Sequence, residues 1–363
     1  MRSIFIVHET SGRPYYKGIE ELGKEKNFEV VYIESSVLRL TIANIVKRDW
    51  KRGYSKQILS NLLFRIKVPF FKNRLILLPM APFDFRMIWY RLLCRKNNVI
   101  YHTSWPYWDG SNVPRWSIFP LRSFVMKAWR KFFAEGAKCI VSVLPLTCKS
   151  ILQNFYCCVP CHSIPHAHEF SVRDKMKLSL QDRDKPLKIL FVGKLISEKG
   201  LENLVKISNL LPLSEKIQLT IVGDGKDKNL IQPALDVGAV WLGAVSDRAE
   251  LKKVFECHDV LLVPSQRKKG WEELFGMVII EAMSQGLTVI ASNHIGPESI
   301  VNESTGYILE ESQPEAWVEA ILSLHTNRGN LLKLQEAAIA ESHKYTTAVI
   351  KDAWWEVLKD YLI

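Results

Sequence analysis

Two glutamates stand eight residues apart in the run Trp271-Glu-Glu-Leu-Phe-Gly-Met-Val-Ile-Ile-Glu-Ala-Met-Ser-Gln-Gly286. An apolar strand is expected to end at Pro264-Ser265, followed by a polar loop and a helix opening near Gly276. The first turn of a helix leaves backbone N–H groups without internal partners, here at Phe275, Gly276 and Met277. Together with the helix dipole, such donors seat a phosphate. Glu273 sits just before that turn and Glu281 about two turns inside it, so the carboxylates could accept hydroxyl groups from the two ends of one elongated ligand. Taken alone, a pair with this spacing is more often a helix cap and a solvated side chain. The neighbouring motifs have to decide.

Three other turns carry matching chemistry. Phe191-Val-Gly-Lys-Leu-Ile-Ser-Glu-Lys-Gly200 reads as a strand, a glycine turn at Gly193 and a helix start, with Lys194 and Lys199 five residues apart. Ile221-Val-Gly223-Asp-Gly225 and Trp241-Leu-Gly-Ala-Val245 are further strand ends running into glycine turns. All lie at the carboxyl ends of predicted strands, where open α/β sheets hold their ligands. Lysines neutralise phosphate charge, and glycines let the backbone approach a ligand closely.

In this order, with Asp259-Val-x-x-x-Pro264-Ser265 between the third turn and the glutamate pair, the chain resembles the retaining GT-B glycosyltransferases of the family-4 type (glycosyl transferases group 1) over about residues 187–310. The resemblance implies an α/β, GT-B fold: two Rossmann-like parallel-sheet domains facing each other across a cleft that holds the active site. It implies a nucleotide diphosphate sugar as donor substrate, no cofactor and no metal. Lys194 and Lys199 would meet the pyrophosphate, Glu273 the donor sugar, Glu281 the ribose, and Val245 would lie near the base. Gly193, Gly223, Phe275, Gly276 and Met277 would complete the donor site by backbone approach. Lys194 stands where the family more often has arginine; the lysine keeps the charge but loses the bidentate fork. In the first half, Val99-Ile-Tyr-His102 matches a strand end where the family places a histidine facing the donor sugar, making His102, Glu273 and Lys199 the implied catalytic set. Gly12 falls near the family's donor-closing loop without its Gly-Gly pair, and His8, His166 and His168 are weaker candidates.

The elements that must position these residues alternate between short strands and helices, the pattern of parallel sheets. Strands are expected at 3–8, 28–33, 74–79, 99–103, 139–143 and 162–165, then at 187–192, 218–222, 240–242, 260–263 and 288–291. Helices are expected at 123–134, 147–155, 201–210, 227–235, 248–256, 276–285 and 315–324. The resulting domains are 1–169 on the acceptor side, a charged linker at 170–186, and a nucleotide-sugar domain at 187–345. A helix over 346–361, with Val349, Ala353, Trp354, Val357, Leu358 and Tyr361 on one face, is expected to pack back on the first domain as part of 346–363.

At 363 residues, 47% hydrophobic and 24% charged, the chain is too long for one ordinary core and too apolar for disorder. No charge-free run of spanning length occurs, and Ile4–Val7 is too short for a signal-peptide core. Seven cysteines without a disulfide framework suggest a reducing compartment. Cys158-x-x-Cys161 has ligand spacing, but His166 and His168 follow too closely for a usual zinc loop. Residues 1–180 hold 29 Lys and Arg against 12 Asp and Glu, a net of +17, whereas 181–363 hold 20 against 26, a net of −6. Between Arg39 and Lys96, 14 basic residues face two acids and are interleaved with aromatic side chains. That pattern suggests an anionic membrane surface, and with the family resemblance a glycan or lipid-linked acceptor in surface polysaccharide or lipopolysaccharide assembly. A cytoplasmic enzyme, peripheral on the inner face of the membrane, is the expectation. Trp105, Tyr107, Trp108, Trp116 and Phe119 are candidates for an acceptor groove, with core packing an equal alternative. A GT-B nucleotide-sugar epimerase and a basic nucleic-acid-binding protein are the other readings; no recognised nucleic-acid motif accompanies the charge.

Overall fold

The computed structural model describes residues 2–8, 13–34, 59, 62–113, 122–178, 185–214 and 216–362. Gly12, Arg115, Trp116, Phe119 and the first part of the basic run, including Arg39, Lys47, Arg48, Trp50, Lys51, Arg52, Tyr54 and Lys56, lie outside these residues. The chain divides into two compact units, Met1–His166 with Ile350–Ile363, and Ala167–Val349.

The first unit is built on a parallel sheet of six strands: β1 (Arg2–His8), β2 (Phe28–Glu34), β3 (Leu75–Pro79), β4 (Asn98–Thr103), β5 (Cys139–Ser142) and β6 (Cys161–Ser163). Their spatial order is β2-β1-β3-β4-β5-β6. The central strands are apolar at nearly every position because both faces are covered, and β3 is buried throughout. Tyr101 on β4 sits among Trp108, Trp129, Phe132 and Phe133 with ring centroids 5.5–5.8 Å away, and its hydroxyl donates to the Met80 carbonyl at 2.7 Å. Trp108, offered by the sequence as a groove aromatic, is therefore a core residue. From Ile350 onward the helix Thr347–Leu358 belongs to this unit: Ile350, Trp354, Val357 and Leu358 are buried. Val349, placed by periodicity on the buried face, is 48% exposed. The helix presents Ile350 inward instead, where its Cγ2 would lie 3.2 Å from a Cβ on Gly18.

One expectation is corrected here. Cys148, on the helix Pro145–Asn154, and Cys161, on β6, form a disulfide. The parallel pairing of β5 with β6 brings the helix that follows β5 alongside β6, which no cysteine spacing reveals. Cys161 is thereby withdrawn from any pairing with Cys158 as a thiolate ligand.

The second unit repeats the architecture with β7 (Leu187–Val192), β8 (Ile217–Val222), β9 (Val240–Trp241), β10 (Val260–Val263), β11 (Thr288–Ser292) and β12 (Gly306–Leu309). Their order is β12-β11-β10-β7-β8-β9. Chain order thus runs outward one way from β7 to β9 and the other way from β10 to β12, with the switch point between β7 and β10. The start of the expected linker is anchored to this unit: Arg173 donates from its backbone to the Ser284 carbonyl at 2.8 Å and from its guanidinium to those of Glu256 and Gln285. His168, whose ring nitrogens lie 3.1 Å from the Phe170 and Ser342 carbonyls, ties the same segment down.

Candidate active site

The carboxyl ends of β7 and β10 meet at the switch point, and side-chain volume is excluded there. Gly200 has φ +76°, and a Cβ on it would lie 1.6 Å from the Pro264 carbonyl oxygen. Gly223, at φ +141°, would carry a Cβ 1.8 Å from the Gly193 oxygen, and one on Gly225 would lie 2.2 Å from that of Leu195. The loops after β7 and β8 are therefore stacked backbone on backbone. Gly223 donates to the Gly243 carbonyl at 2.8 Å, which joins the third turn to the same layer.

This stacking delivers Lys199 to Glu273. The lysine Nζ donates to Glu273 Oε2, and Ser265 Oγ donates to the same oxygen from 3.2 Å. Glu273 is buried, and the Lys199 ammonium also stands 5.4 Å from the Trp271 ring centroid. Phe275 and Gly276 lead directly into the helix Met277–Ser284, for which Gly276, at φ +91°, is the cap. One carboxylate thus has an ammonium as its hydrogen-bond partner and a helix N-terminus three residues further along the chain, an arrangement suited to a ligand bearing both phosphate and hydroxyl groups.

Glu281 lies on that helix, buried, with Oε1 2.6 Å from an Arg248 guanidinium nitrogen. Arg248 in turn stands 4.5 Å over the Phe170 ring. Burial pushes the Glu281 carboxyl above its ordinary value against the pull of Arg248. Lys194 is exposed, with no ion pair among the described residues, and Val245 is half-buried in the loop after β9.

Sequence reading missed the layer that holds Glu273. Its backbone N–H donates to His294 Nδ1 at 3.1 Å, so that nitrogen is unprotonated and Nε2 carries the hydrogen, donated to Glu311 Oε2 at 2.8 Å. Glu311 also accepts the Arg267 backbone N–H at 2.9 Å, and Glu272 accepts that of Ile295 at 3.1 Å. A Cβ on Gly296 would lie 2.3 Å from the Phe275 nitrogen, so the turn after His294 abuts the glutamate loop. The signal was the run Asn293-His-Ile-Gly-Pro297 at a strand end. His294→Ala would strand both the Glu273 N–H and the Glu311 carboxylate, so a loss of about 1–3 kcal/mol is expected in denaturant unfolding. His294→Gln, able to accept and donate, should recover part of it.

His102 closes β4 in the first unit. It is buried, its Nδ1 is 2.9 Å from the Tyr16 hydroxyl, and its ring lies 6.1 Å from His166 and 5.6 Å from Trp354. Burial, helped by His166 and His8, holds it neutral, well below the ordinary imidazole value. Burial likewise lowers His166 from 6.5 to about 4. A histidine depressed in the fold contributes stability that is present above its unfolded value and lost as pH falls from about 6.5 toward 4. For His166 alone this is worth up to about 3 kcal/mol. Asp84, pushed up to about 6 by burial, works in the opposite sense. Urea unfolding of the parent and of His166→Asn at pH 7 and pH 4.5 should therefore show the shallower pH dependence in the variant.

With this geometry in hand, residues 172–344 match the profile of the family described as glycosyl transferases group 1. Similar curated proteins include the sulfoquinovosyl transferase SQD2 of Arabidopsis thaliana, 30% identical over 176 residues, 47% of this chain and 32% of the relative. Another is the amylovoran biosynthesis glycosyltransferase AmsK of Erwinia amylovora, 28% identical over 46% of this chain and 43% of its own length. The chain spans between about a third and a little over half the length of the curated relatives it matches. Among solved structures it is similar to Anabaena Alr3699/HepE in complex with UDP and glucose, with a TM-score of 0.70 and 14% identity over 99% of this chain and all of the other. The fold is GT-B, with two Rossmann-like units.

Proposed function

We propose that this chain, whose residues 172–344 match the glycosyl transferases group 1 profile, is a retaining glycosyltransferase that moves a sugar from a nucleotide diphosphate sugar to an acceptor hydroxyl. The observation that carries the reading is the Lys199–Glu273 pair at the β7/β10 switch point, beside the N-terminus of the helix Met277–Ser284. In this reading Glu273 accepts hydrogen bonds from the donor-sugar hydroxyls. Lys199, Lys194 and the helix N-terminus stabilise the charge that develops on the departing diphosphate. The acceptor oxygen forms its bond on the face the leaving group vacates, and a phosphate oxygen takes the acceptor proton. His102, a neutral hydrogen-bonding ring, is the catalytic candidate of the first unit; in the second, Val245 lies by the base, and Gly193, Gly223, Phe275 and Met277 approach the donor through their backbone. Charge neutralisation is assigned to the protein, so chelators should leave turnover unchanged.

UDP is the nucleotide we assign, supported by the similarity in fold to a UDP-bound structure. The acceptor is a lipid-linked glycan of a surface polysaccharide pathway, met at an anionic membrane surface. Supporting this are the net +17 of residues 1–180 and the similarity to a glycosyltransferase of amylovoran biosynthesis. Among the described residues no helix is long and apolar enough to cross a membrane.

The test is calorimetry and turnover with a panel of UDP- and GDP-sugars; failure of every nucleotide to bind would overturn the reading. Within it, Glu281→Ala should weaken UDP binding by about 1–3 kcal/mol by removing a ribose partner. Glu281→Gln should separate binding from folding. A carboxyl raised above 4.5 by the fold contributes stability at low pH that is lost as pH rises through its folded value. The glutamine variant is thus expected to be the more stable at neutral pH while binding UDP less tightly.

A further inference from the structure

An apolar groove of about 460 Å³ opens on the first unit between residues 62–67, which are helical, and the short helix Met87–Tyr90. Its apolar lining includes Leu62, Ile66, Phe85, Ile88 and Trp89. The helical segment is apolar on two faces. Phe64 and Val68 are in the core, whereas Ile66 is 65% exposed and Phe70, just beyond, is 77% exposed. An ordinary surface helix carries one apolar stripe and buries it. Trp89 is 44% exposed, yet its indole N–H is satisfied by the Arg65 carbonyl at 3.0 Å, so the ring offers an apolar face with no donor left over.

The charged residues that line the groove, Arg65 and Arg86, are both cationic, and the stretch of chain that builds it is almost purely basic. Residues 62–96 contain eight lysines and arginines and a single acid, Asp84, which is itself buried and held by Arg86 at 2.9 Å. No exposed carboxylate in this stretch would repel an anionic surface. A second copy of the chain is a poor occupant, because a two-fold contact would set these same cations against one another.

We propose that this groove and its basic surround are the seat of an anionic phospholipid bilayer. Leu62, Ile66, Ile88 and Trp89 enter the headgroup–acyl boundary while Lys67 and Lys72 remain among the phosphates. The inference rests on the membrane-linked acceptor proposed above and assigns the surface that meets the membrane.

The test uses the full chain with vesicles of phosphatidylglycerol and, separately, of phosphatidylcholine, with UDP affinity measured on the same samples. The parent should sediment with the anionic vesicles only, and part of the binding should survive raised salt through apolar insertion. Ile66→Asp with Ile88→Asp should abolish that salt-resistant part and lower the bound fraction roughly tenfold, with UDP affinity kept. The uncharged pair Ile66→Ser with Ile88→Ser should lose the same part without changing the electrostatics. Equal binding to both vesicle types, binding to neither, or undiminished salt-resistant binding by the variants would overturn the proposal. So would a dimer in the parent that the substitutions dissociate while vesicle binding persists. Vesicle binding as expected without UDP binding would support the surface and overturn the transferase reading alone.

Discussion

Lys199→Ala should slow donor turnover by at least about 100-fold, because one side chain serves two purposes in the site. Its ammonium neutralises the departing diphosphate in the proposed reaction, and it also donates to Glu273 Oε2. Removing it leaves a buried carboxylate with Ser265 Oγ at 3.2 Å and the backbone layer behind it, but without its cation. The melting temperature should therefore fall as well. The double variant Lys199→Ala with Glu273→Gln removes the unpaired charge and should restore the melting temperature without restoring turnover. Lys199→Arg keeps the charge in a wider group and should recover only part of the rate. Lys194→Ala, at an exposed position, should be the milder lesion. Steady-state kinetics beside thermal melts of the five proteins separate the electrostatic role from the structural one. Near-native turnover in Lys199→Ala would remove this residue from the mechanism.

Gly200→Ala is expected to destabilise the second unit by about 3 kcal/mol or more, a fall in melting temperature of about 6–12 °C for a unit of this size. A left-handed φ of +76° strains any L side chain by about 1 kcal/mol. The larger part comes from the Pro264 oxygen, which lies 1.6 Å from the added carbon and cannot yield without parting the ends of β7 and β10. Those ends carry Lys199 and Ser265, so UDP affinity should fall together with stability. Gly193→Ala is the control. Its added carbon would meet nothing closer than Phe191 at 3.5 Å, an ordinary contact, so folding should be nearly unchanged. A loss of UDP affinity there would report ligand approach to the backbone. Native melting behaviour in Gly200→Ala would refute the stacked-loop account.

Legibility in the sequence followed the physical uniformity of each element. The strands β7 and β10 and the helices Leu201–Leu210 and Arg248–Glu256 match their expected bounds residue for residue, since each is a continuous apolar run or a clean helical stripe. β12 went unread because it opens on Gly306, which usually marks a turn. Here the glycine is needed because a Cβ would lie 2.0 Å from the Val289 oxygen. The helix Arg328–Ser342, at 15 residues, went unread because it buries Arg328, Gln335 and Ser342 among its apolar residues, which blurs the stripe. Trp108 looked like a sugar platform by type and neighbourhood, and only its place among Tyr101, Trp129 and Phe133 makes it core.

By itself the sequence determined that two βα units exist, and it singled out Lys199, Glu273 and Glu281 of the second for the phosphate and hydroxyl chemistry now proposed. Local periodicity and motif spacing are properties of the chain, and a strand–glycine–helix turn needs no distant partner to be recognised. Only the tertiary structure decided that Lys199 and Glu273 are partners, since 74 residues separate them and the β7/β10 switch point joins them. It also decided that His294 and Glu311 support the glutamate loop, that Glu281 is held by Arg248, and that Cys148 finds Cys161. The reason is common to all four. Each contact lies where a parallel sheet brings distant strand ends, loops or flanking helices together, and in parallel sheets neighbours in space are separated in sequence by whole crossover connections.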